Sequence, residues 1–182
     1  TTSGTYDVQV TKNGCTSFDT IQVTFKEIPV INLGPDVEVC EGDQTTFNAF
    51  HSASATYLWH DNSTNSTYTS STTEEVSVTV SLNGCTFADT VQHTVFPYPA
   101  TNLGADIEVC EDQDVFLFAQ ENNATYLWNT TENTQQIQAT TSGTYDVQVT
   151  KNGCTSFDTI QVTFKEIPVI NLGPDVEVCE GD

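Results

Sequence analysis

Residues 142–164 read SGTYDVQVTKNGCTSFDTIQVTF, and this stretch decides the fold. Apolar and polar residues alternate on both sides of the Asn-Gly pair, which is the pattern of two strands that each bury one face. Asn-Gly accepts the positive φ that a two-residue hairpin turn needs. The stretch therefore predicts a β-hairpin with three inward side chains on each strand: Tyr145, Val147 and Val149 on the first, then Ile160, Val162 and Phe164 on the second.

An internal repeat surrounds this hairpin. Residues 1–43 and 140–182 are identical at an offset of 139, and the cysteines divide that offset into units of 70 and 69 residues. One set of cysteines follows an Asn-Gly pair, and the other set closes the letters EVC. We call them the hairpin cysteines (Cys15, Cys85 and Cys154) and the strand-end cysteines (Cys40, Cys110 and Cys179). Such a period is typical of an array of small domains.

Each repeat contains further short strands and no segment with a helical period. The letters DVEVC, TTFNAF and TYLW predict three strands, and QQIQAT predicts another before the quoted hairpin. Short strands separated by regular turn signals predict an all-β fold of β-sandwich domains. One tryptophan per repeat, Trp59 or Trp128, is predicted to lie in each core, with a sugar-binding role as the alternative.

The repeat predicts four segments of the chain. Residues 1–27 are a partial domain with only its last hairpin, 28–97 and 98–167 are two complete domains, and 168–182 are the first strand of a following domain. We call the complete domains module A and module B. Linkers such as FKEIPVINLG are short and carry a proline, so an extended array is expected. This window is expected to be cut from a longer run of a 139-residue, two-module unit.

The charge of the chain excludes several function classes. Asp and Glu total 25, Lys totals 4 without any Arg, and the formal charge is −21. Such a chain repels phosphate backbones and anionic membrane surfaces, so binding to either is not expected. No apolar run approaches the length of a membrane span, so membrane insertion of this segment is not expected. His51, His60 and His93 are scattered, with no nucleophile elbow, metal-spaced histidines or phosphate loop, which predicts that the protein is not an enzyme.

An up-and-down strand order predicts two disulfides. If every connection reverses the chain, both cysteines of one module lie at the same end of its sandwich. This order predicts Cys40–Cys85 and Cys110–Cys154, leaves Cys15 and Cys179 with partners outside the window, and makes Cys15–Cys40 the rival pairing. Each closed loop would span about 45 residues and stabilise a small core by roughly 4 kcal/mol. Disulfides imply an oxidising compartment and hence secretion, whereas free or metal-bound cysteines are the alternative.

The letters NLGPDVEVCEGD, ATYLW and SGTYDVQVTKNGCTSFDTIQVT, in this order, resemble the Ig-like, PKD-like repeats of giant surface proteins of Bacteroidota. Gliding-motility adhesins of flavobacteria are examples of that class. The resemblance covers essentially the whole chain. It implies tandem Ig-like (PKD-like) β-sandwiches, export by the type IX secretion route, and display at the cell surface as long arrays. Module A departs from the pattern at SSTTEEVSV, where module B has TTSGTYDV.

A short motif in the last strand of each repeat suggests a modified residue. The letters DTI or DTV resemble the Asp-Thr-apolar O-glycosylation motif of Bacteroidota. The candidate residues are Thr20, Thr90 and Thr159, which share the outward parity of the glutamines two positions later. A plain exposed threonine is the alternative.

Acidic residues cluster near the first strand of each module. Carboxylate oxygens are hard ligands that suit Ca²⁺, which could stiffen a domain junction. The candidate ligands are Asp36 and Glu38 in module A, with Asp106 and Glu108 in module B. A solvated acidic face is the alternative, and no other cofactor is expected.

The sequence thus predicts a structural repeat segment of a long extracellular stalk, fibre or filament that projects or links adhesive elements. Its expected partners are neighbouring copies of the same repeat, joined covalently or end to end. The alternative is that the repeats themselves form a multivalent adhesin that binds surface glycans. Near-identity between copies favours the first function, because specific recognition usually uses loops that vary on a rigid scaffold.

Overall fold

A computed structural model describes residues 2–177 and residue 181 of the chain. Within those residues every regular element is a β-strand, which confirms the predicted all-β class. The chain divides into two compact units, Thr1–Phe96 and Pro97–Asp182, and each is described by itself below.

The first element is a hairpin of β1 (Gly4–Lys12) and β2 (Cys15–Val23). Its turn residues Asn13 and Gly14 have φ values of 52° and 84°, as a two-residue turn of this kind requires. The apolar side chains that alternate along both strands are exposed: Tyr6, Val8, Val10, Ile21 and, beyond β2, Phe25. The local sequence pattern is therefore sufficient to form the hairpin. It does not supply the further strands that would bury the apolar face of the hairpin.

Module A follows as six strands in two layers. One sheet has the order β3 (Val37–Cys40), β8 (Cys85–Phe96), β7 (Glu74–Leu82) and β5 (Thr56–Trp59). The second sheet pairs β4 (Thr45–Asn48) with β6 (Thr67–Ser70). Inward side chains of both sheets form one buried cluster around Trp59, which includes Phe47, Val76, Val78 and Val91.

Module B repeats this arrangement. Its larger sheet has the order β9 (Ile107–Cys110), β14 (Cys154–Lys165), β13 (Gly143–Lys151) and β11 (Thr125–Trp128). Its smaller sheet pairs β10 (Val115–Phe118) with β12 (Gln136–Ala139). The predicted inward residues are confirmed, since Tyr145, Val147, Val149, Ile160 and Val162 are buried around Trp128, and Phe164 packs against them.

The first and last strands of each module run parallel. Val37 to Cys40 lie opposite His93 to Phe96, and Ile107 to Cys110 lie opposite Val162 to Lys165. The predicted up-and-down order is therefore wrong. In module A, β5 runs in the direction of β8, because both are antiparallel to β7. β6 runs the same way, because it is antiparallel to β4, which reverses after a short turn from β3. Residues 60–66 thus carry the chain back along the sandwich before β6 begins.

Candidate functional site: the two ends of each module

The two cysteines of a module lie at opposite ends of its last strand. Cys85 begins β8, whereas Cys40 lies opposite Phe96, the last residue of the same strand. A strand of this length separates its end residues by roughly 36 Å, but a disulfide needs Cα atoms within about 7 Å. In module B, Cys154 begins β14 and Cys110 lies opposite Lys165 at its end.

The predicted pairings Cys40–Cys85 and Cys110–Cys154 are therefore wrong. Cys40 and Cys154 are disulfide-bonded, but Cys85 and Cys110 are free thiols. Cys15 is free as well, which excludes the rival pairing with Cys40. Cys179 lies outside the described residues. The error comes from the connection between β5 and β6, which does not reverse the chain and so moves the hairpin to the other end of the sandwich.

Two aspartates tie the entry segment of each module to its last strand, an arrangement that sequence reasoning missed. In module A the Leu33 N–H donates to Asp89 Oδ2 at 2.8 Å, and the Gln92 N–H donates to Asp36 Oδ1 at 2.9 Å. Module B has the same two bonds: Leu103 to Asp158 at 2.6 Å and Gln161 to Asp106 at 3.0 Å. The signal was present, because NLGxD and DTxQ recur together in both modules.

This arrangement gives the DT motif a structural role. Its aspartate accepts a backbone N–H from the entry segment in both modules. The predicted glycosylation residues Thr20, Thr90 and Thr159 are all exposed, so their hydroxyls are available to a glycan. Glycosylation at these threonines stays a prediction.

Three of the four predicted calcium ligands have other partners, and the fourth, Glu38, is an exposed residue of β3. Asp36 and Asp106 each accept a backbone N–H from the last strand of their own module. Glu108 forms an ion pair with Lys165, and this carboxylate raises the pKa of the lysine. Among the described residues no group of three His, Cys, Asp or Glu side chains is placed to hold a metal ion. The described residues therefore give no structural support for a Ca²⁺ site.

A polar cluster in module A occupies the turn where its sequence departs from the pattern of module B. His93 is fully buried, and its Nδ1 lies 2.8 Å from the Thr72 carbonyl oxygen while its Nε2 lies 3.1 Å from Thr45 Oγ1. Because a carbonyl only accepts, Nδ1 carries a proton. Ser70 Oγ lies 3.1 Å from the same Nδ1 and donates to the Glu74 carboxylate.

The electrostatics of this polar cluster centre on Glu74. Burial alone would raise the pKa of Glu74, but hydrogen bonds from Ser70, His60 and Tyr68 together hold that pKa below its ordinary value. Burial and the bond to Glu74 raise the pKa of Tyr68 to about 12. The cluster contains no nucleophile paired with a base beside an open cavity. We assign it to folding, and the scattered histidines remain without a catalytic arrangement among the described residues.

At the corresponding turn of module B, Tyr145 has the role of the polar cluster. Its hydroxyl donates to the Thr141 carbonyl oxygen four residues upstream at 2.9 Å. This contact resembles the tyrosine corner of immunoglobulin-type sandwiches, where a tyrosine of the penultimate strand bonds back to the preceding turn. The same contact recurs in the first hairpin, where Tyr6 donates to Thr2 at 3.0 Å.

Comparison with solved structures identifies the type of fold. The chain is similar to a three-immunoglobulin-domain fragment of titin, with a TM-score of 0.51 and 11% identity over 90% of this chain and 75% of that one. It is also similar to extracellular domains 3–5 of Drosophila OTK, with a TM-score of 0.51 and 10% identity over 90% of this chain and 71% of that one. Sidekick-1 immunoglobulin domains 1–4 match with a TM-score of 0.52 and 14% identity over 90% of this chain and 58% of that one.

These similarities show the fold: two Ig-like sandwich domains in tandem. No protein-family model matches the chain, and no curated protein sequence matches it. Cys40 and Cys154 are disulfide-bonded, and disulfides form and persist in oxidising compartments. In the described part of the chain, no helix is long and apolar enough to span a bilayer.

Proposed function

We propose that this chain is a structural repeat segment of a long extracellular stalk, fibre or filament that projects or links adhesive elements and catalyses no reaction. The observation that carries the proposal is the parallel pairing of the first and last strands in each module. This pairing makes the chain enter a module at its hairpin end and leave at the other end. Modules of that kind can be added in series without limit, which suits a near-identical repeat.

The contacts of the entry segment support this role. In module B the Ala100 N–H donates to Glu121, and Glu121 forms an ion pair with Lys151 beside the hairpin turn. Further along, Leu103 is held by Asp158 of the last strand. The linker is thus tied to its own module at several points, which restricts its freedom to act as a hinge.

The resemblance of the motifs supports a more specific proposal. NLGxD, YLW, SGTY and NGC in this order suit a surface repeat of Bacteroidota that is exported by the type IX route, as in gliding-motility adhesins. In such a protein we expect O-linked glycans on the exposed threonines of the DT motif. An intact mass equal to that of the bare polypeptide, measured on native material, would exclude them.

Immunogold electron microscopy of intact cells tests the main proposal. Antibodies raised against module B should label fibres outside the cell at many positions along their length, because the epitope recurs with each repeat. Labelling that is restricted to the cell interior, or to a single site at the tip of each fibre, contradicts a repetitive stalk. Pre-absorption of the antibody with the purified chain is the control.

A second candidate function, glycan binding by the modules themselves, is favoured by one cleft in module A. This open cleft of about 550 Å³ is lined by hydroxyl and amide side chains together with Phe50, Ala53 and Tyr57. Phe50 is 61% exposed, and an exposed aromatic residue next to polar groups suits a sugar face. Gln120 stands at the corresponding position of module B, so only one module in two would carry the ring.

A glycan array probed with the full chain decides between the two functions. Saturable binding that Phe50→Ala abolishes would establish the adhesin function. If neither the full chain nor the Phe50→Ala variant binds any glycan, the result would favour the structural stalk function. Gln120→Ala is the matched control, since it changes the equivalent position of the other module and should leave any binding unchanged.

A further inference from the structure

The free thiols Cys85 and Cys110 belong to an arrangement of cysteines that the fold makes periodic. Each module has a hairpin cysteine at its entry end and a strand-end cysteine at its exit end. The length of the last strand prevents a bond between the two within one module, as shown above. A disulfide at either position therefore needs a cysteine that belongs to a different module.

Both kinds of cysteine occur in the bonded and the free state in this chain. Among the hairpin cysteines, Cys154 is bonded and Cys85 is free. Among the strand-end cysteines of the two modules, Cys40 is bonded and Cys110 is free. Each free thiol thus has a bonded counterpart at the same position of the repeat.

Local structure does not explain why one member of each pair is free. Both hairpins close in the same register, with Leu82 opposite Cys85 and Lys151 opposite Cys154. At the strand ends, the Glu41 N–H donates to Phe96 at 2.8 Å, and the Glu111 N–H donates to Lys165 at 3.0 Å. Since the local geometry is the same, the free thiols differ from the bonded ones in the availability of a partner.

Charge favours a bond between unlike cysteines. The chain has 4 lysines and no arginine. Lys12 and Lys151 directly precede hairpin turns, whereas Lys165 lies opposite Cys110 at a strand end. Lys26 is the repeat equivalent of Lys165, and its Nζ donates to the Asn83 carbonyl oxygen at the tip of the module A hairpin at 2.7 Å. Strand-end cysteines instead precede acidic residues: Glu41 and Asp43 after Cys40, with Glu111 and Asp112 after Cys110. A strand-end lysine thus contacts the hairpin end of the module that follows, whereas the acidic residues that follow the strand-end cysteines would make two strand ends repel each other.

We propose that Cys85 and Cys110 are linking thiols, each of which forms a disulfide with a cysteine of the other kind on another module of this repeat. The strand-end cysteine of one module bonds the hairpin cysteine of the module that follows. In this reaction two thiols lose two protons and two electrons to a disulfide oxidant, such as an oxidised dithiol protein, and one S–S bond forms. The proposal deepens the structural-repeat function and rests on it, since it names the covalent partner of each module.

Covalent assembly of the full chain under oxidation tests this proposal. The parent for the test carries Cys15→Ser and Cys179→Ser, so that among the described residues Cys85 and Cys110 are the remaining free thiols. Concentrated parent protein in an oxidised glutathione buffer should form a ladder of covalent multimers on non-reducing electrophoresis, and reductant should collapse the ladder. Peptide mapping should find Cys110 peptides linked to Cys85 peptides.

Single variants of the same parent provide the matched controls. Cys85→Ser and Cys110→Ser should each remain monomeric, because each leaves only one kind of free thiol. A Cys110→Ser protein that dimerises as well as the parent, mapped linkage between like cysteines, or a parent that stays monomeric would each overturn the proposal. Circular dichroism checks that every variant folds. Failure of cross-linking would leave the extracellular stalk standing, because electron microscopy tests that function separately.

Discussion

Modules A and B have the same strands and the same registers, but they stabilise the turn before the penultimate strand by different means. Module B uses Tyr145, whose hydroxyl bonds to Thr141. Module A has Val76 at the equivalent position and uses the buried polar cluster instead. The other positions change with it: Thr45, Ser70, Glu74 and His93 in module A correspond to Val115, Ala139, Gly143 and Val162 in module B.

The departure of SSTTEEVSV from the repeat pattern is therefore compensated by further substitutions in module A. A histidine alone among valine and alanine side chains would be a buried polar group without partners, which is costly. The hydroxyls of Thr45 and Ser70 supply those partners, and Glu74 accepts from Ser70 in turn. The polar side chains of module A therefore depend on one another, and replacing one alone should cost more than replacing the set.

The largest effect is expected when His93→Val is made alone. The Thr45 hydroxyl and the Thr72 carbonyl oxygen then lose a buried partner, and the free energy of unfolding of module A should fall by about 2 kcal/mol. Urea unfolding can be followed for each module separately, since Trp59 and Trp128 lie one in each core and their indole NMR signals report one module each.

The matched control is the set Thr45→Val, Ser70→Ala and His93→Val, which gives module A the residues of module B at three of these four positions and keeps Glu74. This variant should recover most of the stability that the single change loses, because no hydroxyl is then left without its imidazole partner. If the single and triple variants unfold at the same urea concentration, the polar side chains of module A do not depend on one another. The proposed compensation within module A would then be wrong.

A smaller effect is expected for Tyr145→Phe in module B. The variant keeps the buried ring but removes the hydroxyl that bonds to Thr141, so module B should lose about 1 kcal/mol while the Trp59 signal is unchanged. Tyr98→Phe changes an exposed ring and serves as the control. Equal stability of the Tyr145→Phe protein and the parent would show that the turn does not depend on this hydroxyl.

The smallest effect concerns pH. The pKa of Glu74 is lower in the folded state than in the unfolded chain, so the unfolded state takes up a proton first as the pH falls. The stabilisation from this carboxylate is complete above the pKa that Glu74 has in the unfolded chain, and it is lost as the pH falls through the lower pKa of the folded state. Module A of the parent should therefore lose more stability between pH 5 and pH 3, in order of magnitude the titration range of a carboxyl group, than module A of Glu74→Gln. Identical acid profiles of the two proteins at the Trp59 signal would contradict this assignment.

The strands and the core could be predicted from the sequence because they depend on local alternation. The identical residues 1–25 and 140–164 show the limit of such reasoning. Both segments form a hairpin in the same register, from Gly4 opposite Val23 and from Gly143 opposite Val162. Yet Tyr6 is 50% exposed and Tyr145 is 5% exposed. Sequence pattern determines which face is apolar, whereas burial depends on the strands that cover it.

The direction of the strands and the state of the cysteines could not be predicted in the same way. Both depend on whether residues 60–66 turn the chain back or carry it along the sandwich, and the letters DNSTNS are compatible with either path. The predicted strand order therefore placed the hairpin cysteine at the wrong end of the sandwich. The aspartate bonds were predictable in principle, because Asp36 and Asp89 stand in motifs that recur as a pair. The buried histidine was not, since its partners come from two separate strands and a turn.

The parallel pairing of first and last strands has a mechanical consequence. When the two ends of a module are pulled apart, β3 and β8 are drawn past each other along their length, and β9 and β14 likewise. The hydrogen bonds of such a ladder are loaded together in shear, so they must break at once and cannot be unzipped singly. The bonds of Asp36 and Asp89 cross the same boundary in module A, and those of Asp106 and Asp158 cross it in module B. Each module should therefore resist stretching up to a sharp rupture force, which is the behaviour that a load-bearing tether requires.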